Sequence, residues 1–139
     1  MNRGVSLRLY DGDGQTPRVN LGIAPQGPGM VTFGPDGRLP RVVLGTTPTG
    51  DNPGMASFDA SGTARLVVGP TANGAGTMVF DSKGQLGVLD GVREGDIPGV
   101  TVYYPDGKTP HLQLEATPMG DSGGLAVHDR SGQLIAQFP

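Results

Sequence analysis

Short apolar runs alternate with turn-forming residues along the whole chain. Met30-Val31-Thr32-Phe33 is followed by Gly34-Pro35-Asp36-Gly37, and a second run, Arg41-Val42-Val43-Leu44, is closed by Gly45. The plan recurs in Met55 to Phe58, the turn Asp59-Ala60-Ser61-Gly62, and Arg65-Leu66-Val67-Val68-Gly69. Proline presets φ, Asp bonds its own backbone and Gly accepts positive φ, so each such group predicts a tight turn between two strands. In the second strand of a pair, Val19 and Leu21, Val42 and Leu44, Leu66 and Val68, Leu112 and Leu114, and Ala136 and Phe138 share one face. Asn20, Val43, Val67, Gln113 and Gln137 point the other way. Period two is the mark of a half-buried strand. Residues 86–97 come nearest to a helical period, but Gly87, Gly91 and Gly95 break it, and no helix is expected. The fourth unit is the weakest, because Val88-Leu89-Asp90-Gly91 is short and charged residues follow it.

The turns repeat at fixed intervals. Gly14, Gly37, Gly62, Gly84, Gly107 and Gly132 end them, at spacings of 23, 25, 22, 23 and 25. Residues 1–69 set over 71–139 without a gap give 20 identities, among them Asp11/Asp81, Pro28/Pro98, Asp36/Asp106 and Asp51/Asp121. The chain is therefore a three-hairpin block written twice, 1–70 and 71–139, within one 139-residue repeat domain. The expected fold is all-β, an antiparallel meander of six hairpins. Because the runs do not alternate cleanly in every strand, something must cover the second face. Either the meander curls into a ring or barrel-like form, or it is an elongated array that associates with copies of itself.

The unit G-[MLV]-x-x-[FY]-D-x-x-G-x-x-R-V-x-L-G stands here as Gly54-Met55…Phe58-Asp59…Gly62…Arg65-Leu66…Gly69. It resembles hairpin repeats of uncharacterised bacterial and phage-associated proteins. The resemblance spans all six units and implies a fold, with no activity attached.

Composition narrows the picture. Glycine and proline make up 38 of 139 residues, which without a period would indicate disorder, but here they punctuate apolar runs. The net charge is −3 and the ten basic residues are scattered, so a nucleic-acid surface is not expected. The absence of cysteine excludes disulfides and thiolate metal sites. No stretch reaches membrane-spanning length, so membrane insertion is not expected, and no cofactor motif is present.

Candidate chemistry is sparse. Gly120-Asp121-Ser122-Gly123-Gly124 spells the nucleophile motif of chymotrypsin-like serine proteases, yet His111 stands only eleven residues before Ser122 and the rest of that pattern is missing. Asp11-Gly12-Asp13-Gly14 resembles the start of a calcium loop, but Gly22 occupies the place of its terminal Glu. His111 and His128, the two histidines, match Arg41 and Phe58 of the first block and are expected as a surface residue and a ring substitute. Asp11 with Arg18 and Asp59 with Arg65 are expected as cross-strand ion pairs. The rings Tyr10, Phe33, Phe58, Phe80 and Tyr103 end five of the six first strands and form a candidate core or self-association ladder. Asp51, Asn52, Asp121 and Ser122 sit in duplicated Gly/Pro-rich linkers and are candidate binding-loop residues, with carbohydrate the natural ligand for a small repeated β protein. Catalysis needs one convergence of unlike groups, which a repeat does not offer, so no enzyme is expected. The primary expectation is a structural or assembly protein that forms homo-oligomers, in a fibre, appendage or particle. The alternative is a ligand-binding module that uses the duplicated loops. Nothing in the chain indicates a compartment.

Overall fold

The computed structural model describes residues 5–24, 27–46, 53–71, 74–93, 97–116 and 123–139. Among them are twelve strands and no helix: β1 (Ser6–Tyr10), β2 (Pro17–Ala24), β3 (Gly27–Phe33), β4 (Pro40–Thr46), β5 (Pro53–Phe58), β6 (Ala64–Thr71), β7 (Gly74–Phe80), β8 (Leu86–Arg93), β9 (Ile97–Tyr103), β10 (Pro110–Ala116), β11 (Gly123–His128) and β12 (Leu134–Phe138). The chain divides into two compact units, Met1–Gly69 with β1 to β6 and Pro70–Pro139 with β7 to β12. In each unit the strands pair antiparallel in chain order, an all-β hairpin meander.

Two kinds of turn join the strands. Residues 11–16, 34–39 and 104–109 form six-residue turns, closed by Asp11 N–H to the Thr16 carbonyl and its counterparts from Gly34 to Leu39 and Tyr104 to Thr109. Residues 59–63, 81–85 and 129–133 form five-residue turns, closed from Asp59 to Thr63, Asp81 to Gln85 and Asp129 to Gln133. The Asp that accepts the turn's backbone N–H groups stands in a different place in each kind. In the longer turns, Asp13, Asp36 and Asp106 stand immediately before the glycine and accept from backbone N–H groups two and three residues on. In the shorter turns, Asp59, Asp81 and Asp129 stand three before it and accept from N–H groups two and four residues on. In both kinds the glycine donates to the carbonyl three residues back, with φ of 67 to 84, a region that Cβ-bearing residues disfavour.

The fourth turn is one residue shorter than the first, so the two blocks do not superpose without a gap. Tyr10 pairs with Pro17 whereas Phe80 pairs with Leu86, which places Val19 over Val88, Gly22 over Gly91 and Ile23 over Val92. The fourth hairpin is not weak either. β7 and β8 pair over seven positions, from Gly74 opposite Arg93 to Phe80 opposite Leu86. Of the charged residues that follow Val88-Leu89-Asp90-Gly91, Arg93 is an ordinary strand position opposite Gly74.

Register sorts the residues of each unit onto two faces. In the first unit, one face carries the rows Leu9, Val19, Thr32, Val42, Ser57, Leu66 and Leu7, Leu21, Met30, Leu44, Met55, Val68. In the second, the same face carries Val79, Val88, Val102, Leu112, Val127, Ala136 and Thr77, Asp90, Val100, Leu114, Leu125, Phe138. We call this the apolar face. The other, the glycine face, bears a row of glycines running across the strands: Gly22, Gly29, Gly45 and Gly54 in the first unit, and Gly76, Gly91, Gly99 and Gly124 in the second, where Glu115 interrupts the row. A Cβ on Gly29, Gly54 or Gly99 would lie 2.5 Å from the carbonyl oxygen of Leu44, Val68 or Leu114. The neighbouring backbone approaches the row at a distance no side chain tolerates, which is why glycine occupies these positions.

Candidate functional site

The two faces differ in exposure. Besides Gly34, only Met78 and Thr101 are buried among the described residues, and both side chains lie on the glycine face. On the apolar face Leu7, Leu9, Leu21, Ile23 and Leu44 of the first unit stay 38–64% exposed, as do Val79, Val92, Leu114 and Phe138 of the second at 40–55%. The apolar face also carries almost no charge. Among the described residues, Asp90 is its one charged side chain, whereas Arg8, Arg18, Arg41, Arg65, Gln113, Glu115 and Gln137 fall on the opposite face by strand alternation.

The ring series lies away from this surface. Tyr10, Phe33, Phe58, Phe80 and Tyr103 alternate onto the glycine face, each at a local register shift, opposite Pro17, Pro40, Ala64, Leu86 and Pro110. Tyr10 is exposed and the other four are half-buried. Among the described residues the ring–ring contact is instead between Tyr104 and His111, with centroids 4.5 Å apart and planes tilted by 50°.

That contact belongs to a staple between hairpins in the second unit. The Tyr104 hydroxyl donates to the His128 carbonyl at 3.0 Å, and His111 Nδ1 lies 3.2 Å from the same oxygen. The fold thus brings both histidines together at one turn end, a juxtaposition the sequence did not reveal. His128 Nδ1 is buried without a hydrogen-bond partner, as are Asn20 Oδ1 and Arg65 Nη1. The first unit uses Arg18 for a matching purpose. It reaches across to the Gly34 carbonyl at 2.8 Å and forms an ion pair with Asp11. The second expected pair does not form: Asp59 turns inward to Ser61 and Thr63 of its own turn.

The turn carboxylates are spoken for. Asp13, the second acid of the calcium-like segment, accepts from Thr16 Oγ1 and from the backbone N–H groups of Gln15 and Thr16, and these bonds hold its pKa at about 2. Asp11 is lowered first by its hydrogen bond from Arg18. Asp59, Asp106 and Asp129 are lowered first by the hydroxyls of Ser61, Thr109 and Ser131, and Asp36 by the Arg38 N–H. No three His, Asp or Glu side chains converge among the described residues.

The candidate binding-loop residues Asp51, Asn52, Asp121 and Ser122 lie outside the described residues, as does most of the protease-like pentapeptide. In the second unit, a cleft of about 390 Å³ is lined by Gln113, Glu115, Gly124, Gln137 and Phe138, and Gln113 donates to Glu115 at 3.2 Å. No helix in the described residues is long and apolar enough to cross a membrane. Neither the known family models nor the curated proteins include a match to this chain.

Proposed function

We propose that this chain is a non-enzymatic structural module that assembles with copies of itself through its apolar face, as a component of a fibre, appendage or particle. The observation that carries the reading is the exposed, nearly uncharged apolar face of each unit. The large exposed side chains there are Leu7, Leu9, Leu21, Ile23 and Leu44 on the first unit and Val79, Val92, Leu114 and Phe138 on the second. Depletion of charge at the centre of a patch is the compositional mark of an interface core, and contiguous exposed apolar patches mark interaction sites. On this reading the apolar face is the contact between copies whether the repeat closes as a ring or continues as an elongated array. Light scattering coupled to size-exclusion chromatography across a concentration series tests the reading. Assembly larger than 14.2 kDa is the expected result, and a monodisperse monomer at every concentration overturns it.

A second reading, a carbohydrate-binding module, is favoured by the cleft over Gly124, whose walls include Gln113, Glu115 and Gln137 of the glycine face. Glycan screening against the wild type and Gln137→Ala separates it from the first.

A further inference from the structure

One position breaks the pattern of the apolar face. The row Leu7, Leu21, Met30, Leu44, Met55, Val68 of the first unit is matched in the second by Thr77, Asp90, Val100, Leu114, Leu125, Phe138. Asp90 therefore stands where the first unit has Leu21. It is exposed, and it borders a shallow cavity of about 640 Å³ whose other walls include Val92, Val100, Leu114, Leu125 and one further titratable residue, Glu115, which strand alternation assigns to the glycine face.

The surroundings of Asp90 hold no counter-charge. Thr77 faces it from β7 and Val100 from β9. Its neighbours on the same face of β8 are Val88 and Val92. None of these titrates or carries charge, and no other described residue of either apolar face does. In the free chain water solvates the carboxylate. A second copy seated on the cavity removes that water, and its own apolar face brings no cation in return. An unpaired buried carboxylate is strongly disfavoured, so such a contact either weakens or takes up a proton.

We propose that Asp90 is a pH-sensitive gate on self-association: charged, it opposes the seating of a second copy on the second unit's apolar face, and protonated, it admits one. This rests on the reading of the apolar face as the contact between copies. Each Asp90 buried takes up one proton, so association strengthens as pH falls. The hairpins persist over the same window, because Asp11, Asp13, Asp36, Asp59, Asp106 and Asp129 are held below 3.8 and remain ionised at pH 5.

The test is sedimentation velocity on the full chain at pH 7.5 and pH 5.0, for the wild type, Asp90→Asn and Leu21→Asp, with circular dichroism to verify the strands. The wild type is expected to associate at roughly ten-fold lower concentration at pH 5.0, and Asp90→Asn to match that strength at both pH values. Asp90→Asn keeps both histidines, so the difference between the two pH profiles belongs to Asp90. Leu21→Asp, which writes the same charge into the first unit, is expected to weaken association at pH 7.5 and decides the question if Asp90→Asn does not fold. An Asp90→Asn variant with the wild-type midpoint and pH profile overturns the gate and leaves the apolar contact standing. Wild type and variant both monomeric at ~1 mM and both pH values overturn the contact itself, and the gate with it.

Discussion

Gly29 and Gly45 face each other across β3 and β4, so close that a Cβ on either would stand 2.5 Å from a carbonyl oxygen of the opposite strand, Leu44 for Gly29 and Pro28 for Gly45. Gly45 also has φ of 135, whereas Gly29 and Gly54 do not occupy the positive-φ region. Gly29→Ala and Gly54→Ala therefore isolate the close approach from backbone strain. Each is expected to cost about 2 kcal/mol or more, because the added atom meets backbone that cannot swing aside. Gly12→Ala is the control: its Cβ meets nothing within 4 Å, and the change should stay within about 0.5 kcal/mol. Chemical unfolding midpoints decide, and equal losses at all three positions would refute the crowding account.

Acid should unfold this chain through its turns. Six turn aspartates have pKa values lowered from 3.8, Asp13 to about 2, by bonds that exist only in the folded turns. A carboxyl with a lowered folded pKa contributes stability that is fully present above its unfolded value and lost as pH falls through the folded one. The thermal midpoint is thus expected to hold steady down to about pH 4 and to drop between pH 4 and 2. Asp59→Asn and Asp129→Asn should lower the midpoint at pH 7 and flatten its fall in acid. A midpoint as steep in the double variant as in the wild type would assign the acid sensitivity elsewhere.

These turns also mark what a reader of the sequence can and cannot see. The glycine that ends each turn is legible, because the preceding Asp and the need for positive φ leave few alternatives. The alternation of Val42 with Leu44, or Leu112 with Leu114, is legible for the same local reason. Turn length was present in the spacing of Asp and Gly, adjacent in Asp36-Gly37 and three apart in Asp59 to Gly62, but its consequence is a register between strands. A gapless comparison therefore conceals the shorter fourth turn. The glycine row was hidden more deeply. Gly45 and Gly69 read as the ends of apolar runs, because a row across strands exists only once Gly22, Gly29, Gly45 and Gly54 are in register. The exposed face is legible only in part: the alternation of its residues can be read from the sequence, while its exposure follows from the register of the folded strands.

The Tyr104 hydroxyl ties one hairpin of the second unit to the next through the His128 carbonyl. Tyr104→Phe removes this bond and keeps the ring over His111, so the expected loss is about 1 kcal/mol, a typical net value for one hydrogen bond. His111→Phe tests the neighbouring contact to the same oxygen. Because the two side chains share an acceptor and touch each other, their effects should not add. A double-mutant cycle by urea unfolding measures the coupling, and strict additivity would dissolve the staple into independent contacts.

If copies meet through the apolar face, charge placed there must act differently from charge placed behind it. Leu44 and Leu114 occupy matching places on the apolar rows, 38% and 53% exposed. A lysine at either position keeps its ammonium in water in the free chain, so folding should be nearly unaffected. In an assembly the same ammonium loses its water against an uncharged surface, at a cost of several kcal/mol. Leu44→Lys with Leu114→Lys is expected to shift the chain to monomer with its circular dichroism spectrum unchanged. Gln113→Lys, on the glycine face of the same strand as Leu114, is expected to leave association as it was. Sedimentation velocity on the three proteins reads the contrast. Dissociation by Gln113→Lys alone would move the contact to the glycine face, where the rings and the arginines lie.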